Sequence, residues 1–196
     1  MVVLAYLRPY KSKDTIYKRF LTTDTNLRPN GEVPLAKDKV WVADVMYSKV
    51  KGVWRYLSVI MDLYSRCIIS WSLDRHRTAE VTKRTLKNAI KKRMPQSDLM
   101  LHTDQGVEHR GQVYQKVLKL HGIVHILSCA GKCTDNAYME SLFHLMKTEV
   151  IRGNLFRGDK ELRGNLGSYI NKYYNTLRMP SGINYCSALE YEAIAA

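Results

Sequence analysis

The sequence predicts an α/β fold, a five-stranded mixed sheet flanked by helices with a helical extension at its C-terminal end. Three features carry that expectation. Residues 40–73 hold three runs rich in Val, Ile, Trp and Tyr, joined by short turns. From Thr78 onward the apolar spacing changes to the period of a helix, and helical stretches then alternate with short strand-like runs. Beyond about residue 135 only helical patterning remains.

In chain order, residues 1–36 show weak periodicity, several basic residues including Lys11, Lys13, Lys18, Arg19 and Arg28, and a turn-like Pro29-Asn30-Gly31. They read as an arm or linker that either lies along DNA or packs as an extension. Strands are predicted at 40–47, 54–61 and 67–73. Lys51-Gly52 turns the first into the second, and residues 62–66 join the second to the third. Joints this short favour antiparallel neighbours, and Asp62 and Arg66 are expected to pair across the second joint. Thr78 is the expected cap of a helix that Pro95 ends, with Lys83, Lys87 and Lys91 along one face, either solvated or against DNA. A fourth strand is expected at 99–102, a helix at 112–121 stopped by Gly122, and a fifth strand at 124–127. The stretch 135–152 is a helix ending at Gly153, in which Leu142, Phe143, Met146 and Val150 form an apolar stripe. Asn136, Glu140, His144 and Lys147 share another face. A helix at 160–177 carries Tyr169, Tyr173 and Tyr174, and a short helix begins near Ala188. The chain thus divides into a basic arm, 1–36, a core, 37–155, and a helical extension, 156–196.

Lysine and arginine total 31 against 18 acids, a net charge of +13. That excess calls for a polyanionic partner, nucleic acid first. No apolar run is long enough for a membrane span, and the apolar start is cut short by Arg8, so an intracellular protein is expected. The four cysteines, Cys67, Cys129, Cys133 and Cys186, form no CxxC pair and no zinc-finger spacing, and read as reduced thiols.

The chemistry is expected at three acids. Asp44 interrupts an apolar strand, where an unpaired carboxylate costs several kcal/mol of desolvation. Asp104 ends another strand, in His102-Thr103-Asp104-Gln105-Gly106. Glu140 follows on a helix, with 35 residues between it and Asp104. Taken singly, each has an ordinary reading as an edge acid, a turn acid or a solvated helical acid. Taken together, two strand acids and one helix acid point to a divalent-metal site. Mg²⁺ asks for only one or two carboxylates per ion, and a pair of ions about 3.5–4 Å apart handles phosphodiester chemistry. Asp44 is the expected bridge between the two ions. His102 either orients Asp104 or abuts the site, or is a satisfied packing histidine, Lys147 meets a phosphate or base or is solvated, and Asn136 caps its helix or faces DNA. The chain shows no Ser/His/Asp or Cys/His arrangement for nucleophilic catalysis.

Several motifs together resemble a known family. They are Trp41-Val42-Ala43-Asp44, the run from Tyr56 through Met61-Asp62 to Arg66, Ile69-Ser70-Trp71, His102 to Gly106, Gly131 to Ala137 with Glu140-Ser141, Leu145 to Glu149, and Tyr174 to Arg178. Their order resembles the catalytic core of IS3-type insertion-sequence transposases, relatives of retroviral integrases. The resemblance runs from about residue 37 to 192. It implies an RNase H-like fold and a DDE site on Asp44, Asp104 and Glu140 that uses Mg²⁺ or Mn²⁺. It further implies cleavage and strand transfer at insertion-sequence ends, with DNA contacts from Lys132, Asn136 and Lys147. A homo-oligomer on DNA, an upstream helix-turn-helix partner protein and a bacterial cytoplasm, at the nucleoid, follow from the same resemblance. The chain departs from the family pattern at Cys129 and Ala130, where basic residues are usual, at His109, which replaces an aromatic, and at residues 179–182.

Overall fold

The structure, a computed structural model, describes residues 34–96, 98–127 and 137–194. Most of the expected arm, together with Cys129, Cys133, Lys132, Asp135 and Asn136, lies outside the described residues.

The organising strand is β1 (Val40–Val50). Its alternate residues enter two separate apolar clusters. Val40, Val42, Met46 and Val50 face one, and Trp41 and Ala43 face the other. A strand covered on both faces must be apolar nearly throughout, which makes Asp44 conspicuous in it. β2 (Val53–Asp62) pairs antiparallel with β1 through the two-residue turn Lys51-Gly52. Both turn residues have positive φ, 50° and 77°, the conformation that matches the twist of a tight hairpin. β3 (Ile68–Asp74) is antiparallel to β2. β4 (Met100–Thr103) and β5 (Val124–Leu127) add in parallel on the other side, giving the order β3-β2-β1-β4-β5.

Helices cover both faces. On one lie α1 (Ala79–Arg93), the single turn α2 (Val107–Arg110) and α3 (Gln112–Leu120). Leu86, Ala89, Ile90, Tyr114, Val117 and Leu118 from α1 and α3 pack on Trp41, Ile60 and Leu101. The other face takes α4 (Ala137–Leu145), α5 (Asp159–Ser168) and their continuations. The predicted stripe Leu142, Phe143, Met146 and Val150 is buried there, with Leu162, Leu166, Ile170 and Tyr174 from the extension in the same cluster. Each such side chain contributes about 1.5–3 kcal/mol on burial.

Two helices differ from their expected form. The stretches predicted as continuous helices at 135–152 and 160–177 widen into π-helical turns at Met146–Ile151 and Tyr169–Tyr174. The wider ladder is seen in Arg152 N–H donating to Lys147 C=O (2.8 Å) and Asn175 N–H to Ile170 C=O (3.0 Å). Apolar spacing alone does not separate the two ladders, and π turns are rare. Thr78 does occupy the cap position of α1, but its hydroxyl makes no capping bond. The stop is as expected: Met94 adopts a left-handed conformation, with Pro95 next.

The second joint is held differently from the expected Asp62–Arg66 pair. Asp62 is fully buried and accepts the backbone N–H of Ser65 (3.0 Å) and of Asp38 (2.7 Å). The Arg66 guanidinium lies over the Tyr138 ring, 3.2 Å from its centroid. Ser65 Oγ passes the network on to Glu192 Oε1 (2.7 Å) of α6 (Ala188–Ile194), and both carboxylate oxygens of Glu192 accept from Arg93 at the end of α1 (2.7 and 2.8 Å). The C-terminal helix is thereby fastened to the sheet. Asn175 does the same for the outer strand: its amide accepts from Ile68 N–H (2.9 Å) and donates to Ile68 C=O (3.0 Å), completing the ladder at a sheet edge.

Arg93 and Glu192 side chains are only 13% and 9% exposed, and without Glu192 the guanidinium keeps only a longer contact to Asp38, at 3.7 Å. Glu192→Ala is expected to lower stability by about 3 kcal/mol, and Glu192→Gln, which keeps the acceptor oxygen, by clearly less. Urea denaturation followed by circular dichroism at neutral pH measures both; equal stability of wild type and Glu192→Ala would contradict the fastening role.

Candidate active site

β1 and β4 run parallel with Ala43 opposite Thr103, so the next residues on the two strands are Asp44 and Asp104. Adjacent strands lie about 4.8 Å apart, which sets the two acids side by side at the point where β4 ends. Asp44 is half-buried and directly opposite Val59 of β2 on its other side. Its Oδ1 accepts the N–H of Val45 at 2.6 Å.

Asp104 is held by the turn that follows it. Its Oδ1 accepts the Gly106 N–H (3.0 Å) and pairs with His109 Nδ1 (2.8 Å). A Cβ at Gly106 would stand 2.6 Å from Glu108 Oε1 and 2.9 Å from Asp104 Oδ1, so these carboxylates would have to shift to admit a side chain. α2 then turns Glu108 and His109 inward, where they are 2% and 1% exposed. Arg77 Nε donates to Glu108 Oε1 (2.7 Å), and Arg77 Nη2 lies 3.9 Å from Asp104 Oδ2. Thr82 Oγ of α1 donates to the Glu108 carbonyl (3.2 Å), locking the turn to the helix below.

Behind Asp104 lies a buried polar layer. Gln115 Nε2 donates to the His109 carbonyl (2.9 Å) and to His125 Nδ1 (2.8 Å). His125 Nε2 meets Thr103 Oγ at 2.9 Å, which makes Nε2–H the donor once Nδ1 accepts. Tyr114 stands between the two rings, 5.4 Å from His109 and 6.0 Å from His125.

The electrostatics follow from this arrangement. Burial pushes the Asp104 carboxyl upward, but His109, the Gly106 N–H and Arg77 together outweigh it and hold the group below the usual carboxylate range. Burial also lowers His125, helped by the neighbouring His109 and His102, to about 3, so the ring is neutral at physiological pH. The Arg77 guanidinium is partly desolvated, yet Glu108, Asp104 and Asp44 raise it further above its ordinary value.

Glu140 sits in the first turn of α4, exposed, beside Met139, which is fully buried against the sheet. Among the described residues, the group whose ligand atoms close to within 4.8 Å is Asp104, Glu108 and His109; Asp44 and Glu140 stand outside it. His102 is buried on β4 next to Val42, a packing position, and the histidine that holds Asp104 is His109. Lys147 lies in the π-helical turn with Nζ 5.6 Å from the Tyr47 ring centroid. Arg77, Glu108, Gln115 and His125 were not anticipated. The available signal was Gly106 and Gly111, which bracket a four-residue turn carrying an acid and a histidine just after Asp104.

A family model described as integrase core domain matches residues 34–133, and a second of the same description matches 121–187. The chain belongs to the integrase core domain family. This integrase core is 36% identical over 157 residues to the transposase for insertion sequence element IS904 of Lactococcus lactis, covering 80% of this chain and 62% of that protein. It is 35% identical over 152 residues to transposase InsF for insertion sequence IS3A of Escherichia coli, covering 78% and 52%. The expected likeness to IS3-type transposases is found, and the chain spans roughly half to three-fifths of the relatives it matches. Among solved structures, it superposes on a simian T-cell lymphotropic virus intasome with a TM-score of 0.66 at 18% identity, covering 82% of this chain and 56% of that one. The HTLV-2 integrase catalytic core solved with magnesium gives 0.55 at 19% identity, covering 81% and 98%. These likenesses establish the RNase H-like fold.

Because His125 is depressed to about 3 in the folded chain and titrates near 6.5 when unfolded, the unfolded state binds the extra proton between those values. Its contribution to stability is therefore full above about pH 6.5 and is lost progressively as pH falls toward 3, with a slope of up to about 1.4 kcal/mol per pH unit. The loss between pH 7.5 and 4.5 should shrink by about 2–3 kcal/mol in His125→Gln. Denaturant titrations of both proteins at the two pH values decide it; parallel losses would mean that His125 is charged in the fold.

Proposed function

We propose that this chain is the catalytic core of an insertion-sequence transposase that cuts DNA phosphodiesters at element ends and joins the freed ends to a target. The observation that carries this reading is the register of β1 and β4, which sets Asp44 beside Asp104 in a chain of the integrase core family. The net charge of +13 supports a DNA partner, since phosphate contacts supply most of such affinity.

Asp44, Asp104 and Glu140 would hold divalent ions, Mg²⁺ or Mn²⁺ and two in number. The donors fit: carboxylate oxygens suit a hard cation, and Asp104, kept ionised and braced by His109, has the support a metal-binding carboxylate needs. The ions supply charge that activates the attacking oxygen and steadies the departing one. The protein's own part is positional. β2 pairs with Asp44 and β4 with the residues just before it, which fixes its backbone, while the 102–106 turn fixes Asp104. Glu140 reaches toward the pair from α4, with a side chain one methylene longer. Lys147, Lys132 and Asn136 would grip DNA phosphates.

Two displacements make up the reaction. First, water attacks a phosphodiester at the element end; one P–O bond forms, the bond to the 3′ oxygen breaks, and a 3′-hydroxyl is freed. That hydroxyl then attacks a target phosphodiester, again one bond for one, with a 3′-hydroxyl leaving. No side chain becomes covalently linked to DNA. Both ends must be held together, which calls for a homo-oligomer, and end recognition falls to a helix-turn-helix region in the same or a partner protein. Such a protein works at the bacterial nucleoid. The division into arm, core and extension at residues 36 and 155 belongs to this reading.

Oligonucleotides bearing the repeats that flank the gene, incubated with Mn²⁺, should yield cut and joined products. Asp44→Asn, Asp104→Asn and Glu140→Gln should each lower both by about 10³-fold or more while leaving DNA affinity within about twofold. Cutting without joining would reduce the activity to that of a nuclease. Binding without cutting would make the chain a DNA-binding remnant, and turnover by Glu140→Gln would remove Glu140 from the site.

A further inference from the structure

Beyond the acids, the β1–β2 hairpin carries an aromatic and basic surface that the proposed chemistry does not use. Tyr47 is 51% exposed and Trp54 43% exposed. Register places Tyr47 opposite Tyr56 and Lys49 opposite Trp54, so the four side chains share one face of the hairpin. The Tyr47 and Trp54 rings meet edge to face, with centroids 5.5 Å apart at 71°, and Tyr56 lies 6.5 Å from Tyr47. Lys49 Nζ stands 4.9 Å from the Trp54 ring centroid and Lys147 Nζ 5.6 Å from that of Tyr47. Among the described residues neither lysine is paired with a carboxylate.

Cross-strand aromatic pairs stabilise a hairpin, but that role does not require rings left half open to water. Two ammonium groups that lie over half-exposed rings, with no acid partner among the described residues, match a different ligand, one with both a π face and a phosphate. We infer that this face binds the unpaired bases of a DNA strand, with bases on Tyr47 and Trp54 and phosphates at Lys49 and Lys147. A duplex does not fit as well, because its bases cover one another and present only edges; an unpaired base offers its face.

The location connects this face to the acids. Tyr47 is three residues beyond Asp44, about 10 Å along the strand, which is close to three stacked nucleotide steps of 3.4 Å. Alternation puts the two side chains on opposite faces of the sheet. However, β4 pairs with β1 only through Ala43, so β1 has an open edge beyond Asp44 among the described residues. Lys147 of the Glu140 helix reaches around that edge to Tyr47. A strand leaving the acids can follow the same path. The inference rests on the DNA-processing reading above.

The test uses the full chain, an oligothymidine and a hairpin duplex of equal length at one fixed salt concentration. Trp54 is the most exposed tryptophan among the described residues, so its fluorescence should be quenched on saturation by the single strand. Tyr47→Ala and Trp54→Ala should each weaken single-strand affinity by about fivefold or more, while duplex affinity stays within about twofold. Trp54→Phe, which keeps a ring face, should restore most of the loss, and Trp54→Leu, which keeps apolar bulk without one, should not. Equal losses for both DNAs, or none, would overturn the platform and leave the transposase reading standing. Loss of self-association in Trp54→Ala with unchanged single-strand affinity would make the face a contact between copies and also overturn it. No affinity for either DNA in the wild type would remove both readings.

Discussion

The parallel pairing of β1 with β4 is the constraint on which the site depends. A strand covered on both faces cannot slip by one residue without turning Val40, Val42, Met46 and Val50 into the cluster that Trp41 and Ala43 occupy. The register that brings Asp44 to Asp104 is therefore held by apolar packing, and carboxylate chemistry has no part in setting it. The two acids would repel each other if left to choose. The sheet spends part of its hydrophobic stabilisation on forcing them together, and strand ends are where such a cost is bearable, because β4 stops at Thr103 and leaves the carboxylates partly solvated.

The layer behind Asp104 shows how one of these acids is kept both ionised and still. Glu108 adds a second negative charge almost wholly out of water, which by itself would raise Asp104. Arg77 offsets it, lying against Glu108 and within 3.9 Å of Asp104. His109 then supplies a directional bond that fixes the carboxylate plane. Deeper in, His125 remains uncharged because burial and the nearby His109 and His102 oppose a further proton. The ionised Asp104 thus stays partly solvated, with the Arg77–Glu108 pair beside it and the neutral His125 underneath. Pairing with Glu108 lets the guanidinium stand near Asp104 without being buried unpaired.

Most of the fold was legible because its signals are local. Five strands could be read from β-branched runs, and the antiparallel sense of the first three from joint lengths, since a two-residue turn such as Lys51-Gly52 permits little else. Asp44 stood out for the opposite reason, as a polar residue in an apolar run, and Asp104 through its position just after a short apolar run. What escaped depends on contacts distant in sequence or on fine backbone geometry. Glu108 looks like any helical acid until Arg77, 31 positions earlier, is brought beside it. Asp62 and Arg66 look like an ion pair at turn spacing, but the backbone N–H groups of Ser65 and Asp38 reach the acid first, and Arg66 gains more by covering Tyr138. The π turns preserve apolar burial, so the hydrophobic pattern cannot reveal them.

Those π turns bear on function through Lys147. In a regular helix it would follow Glu140 at seven residues, close to the same azimuth, and point where Glu140 points. The helix widens only from Met146 to Ile151, and Met146 and Val150 stay in the core. Lys147 Nζ meets Tyr47 across the open edge of β1. The helix thereby carries Glu140 in its first turn and, further along, a cation that meets the hairpin face. A polyanion threaded past that edge would meet the acidic site on one side and aromatic rings on the other, with Lys147 at the crossing. This geometry requires β4 to be short. A longer β4 would pair with β1 beyond Asp44 and close the edge.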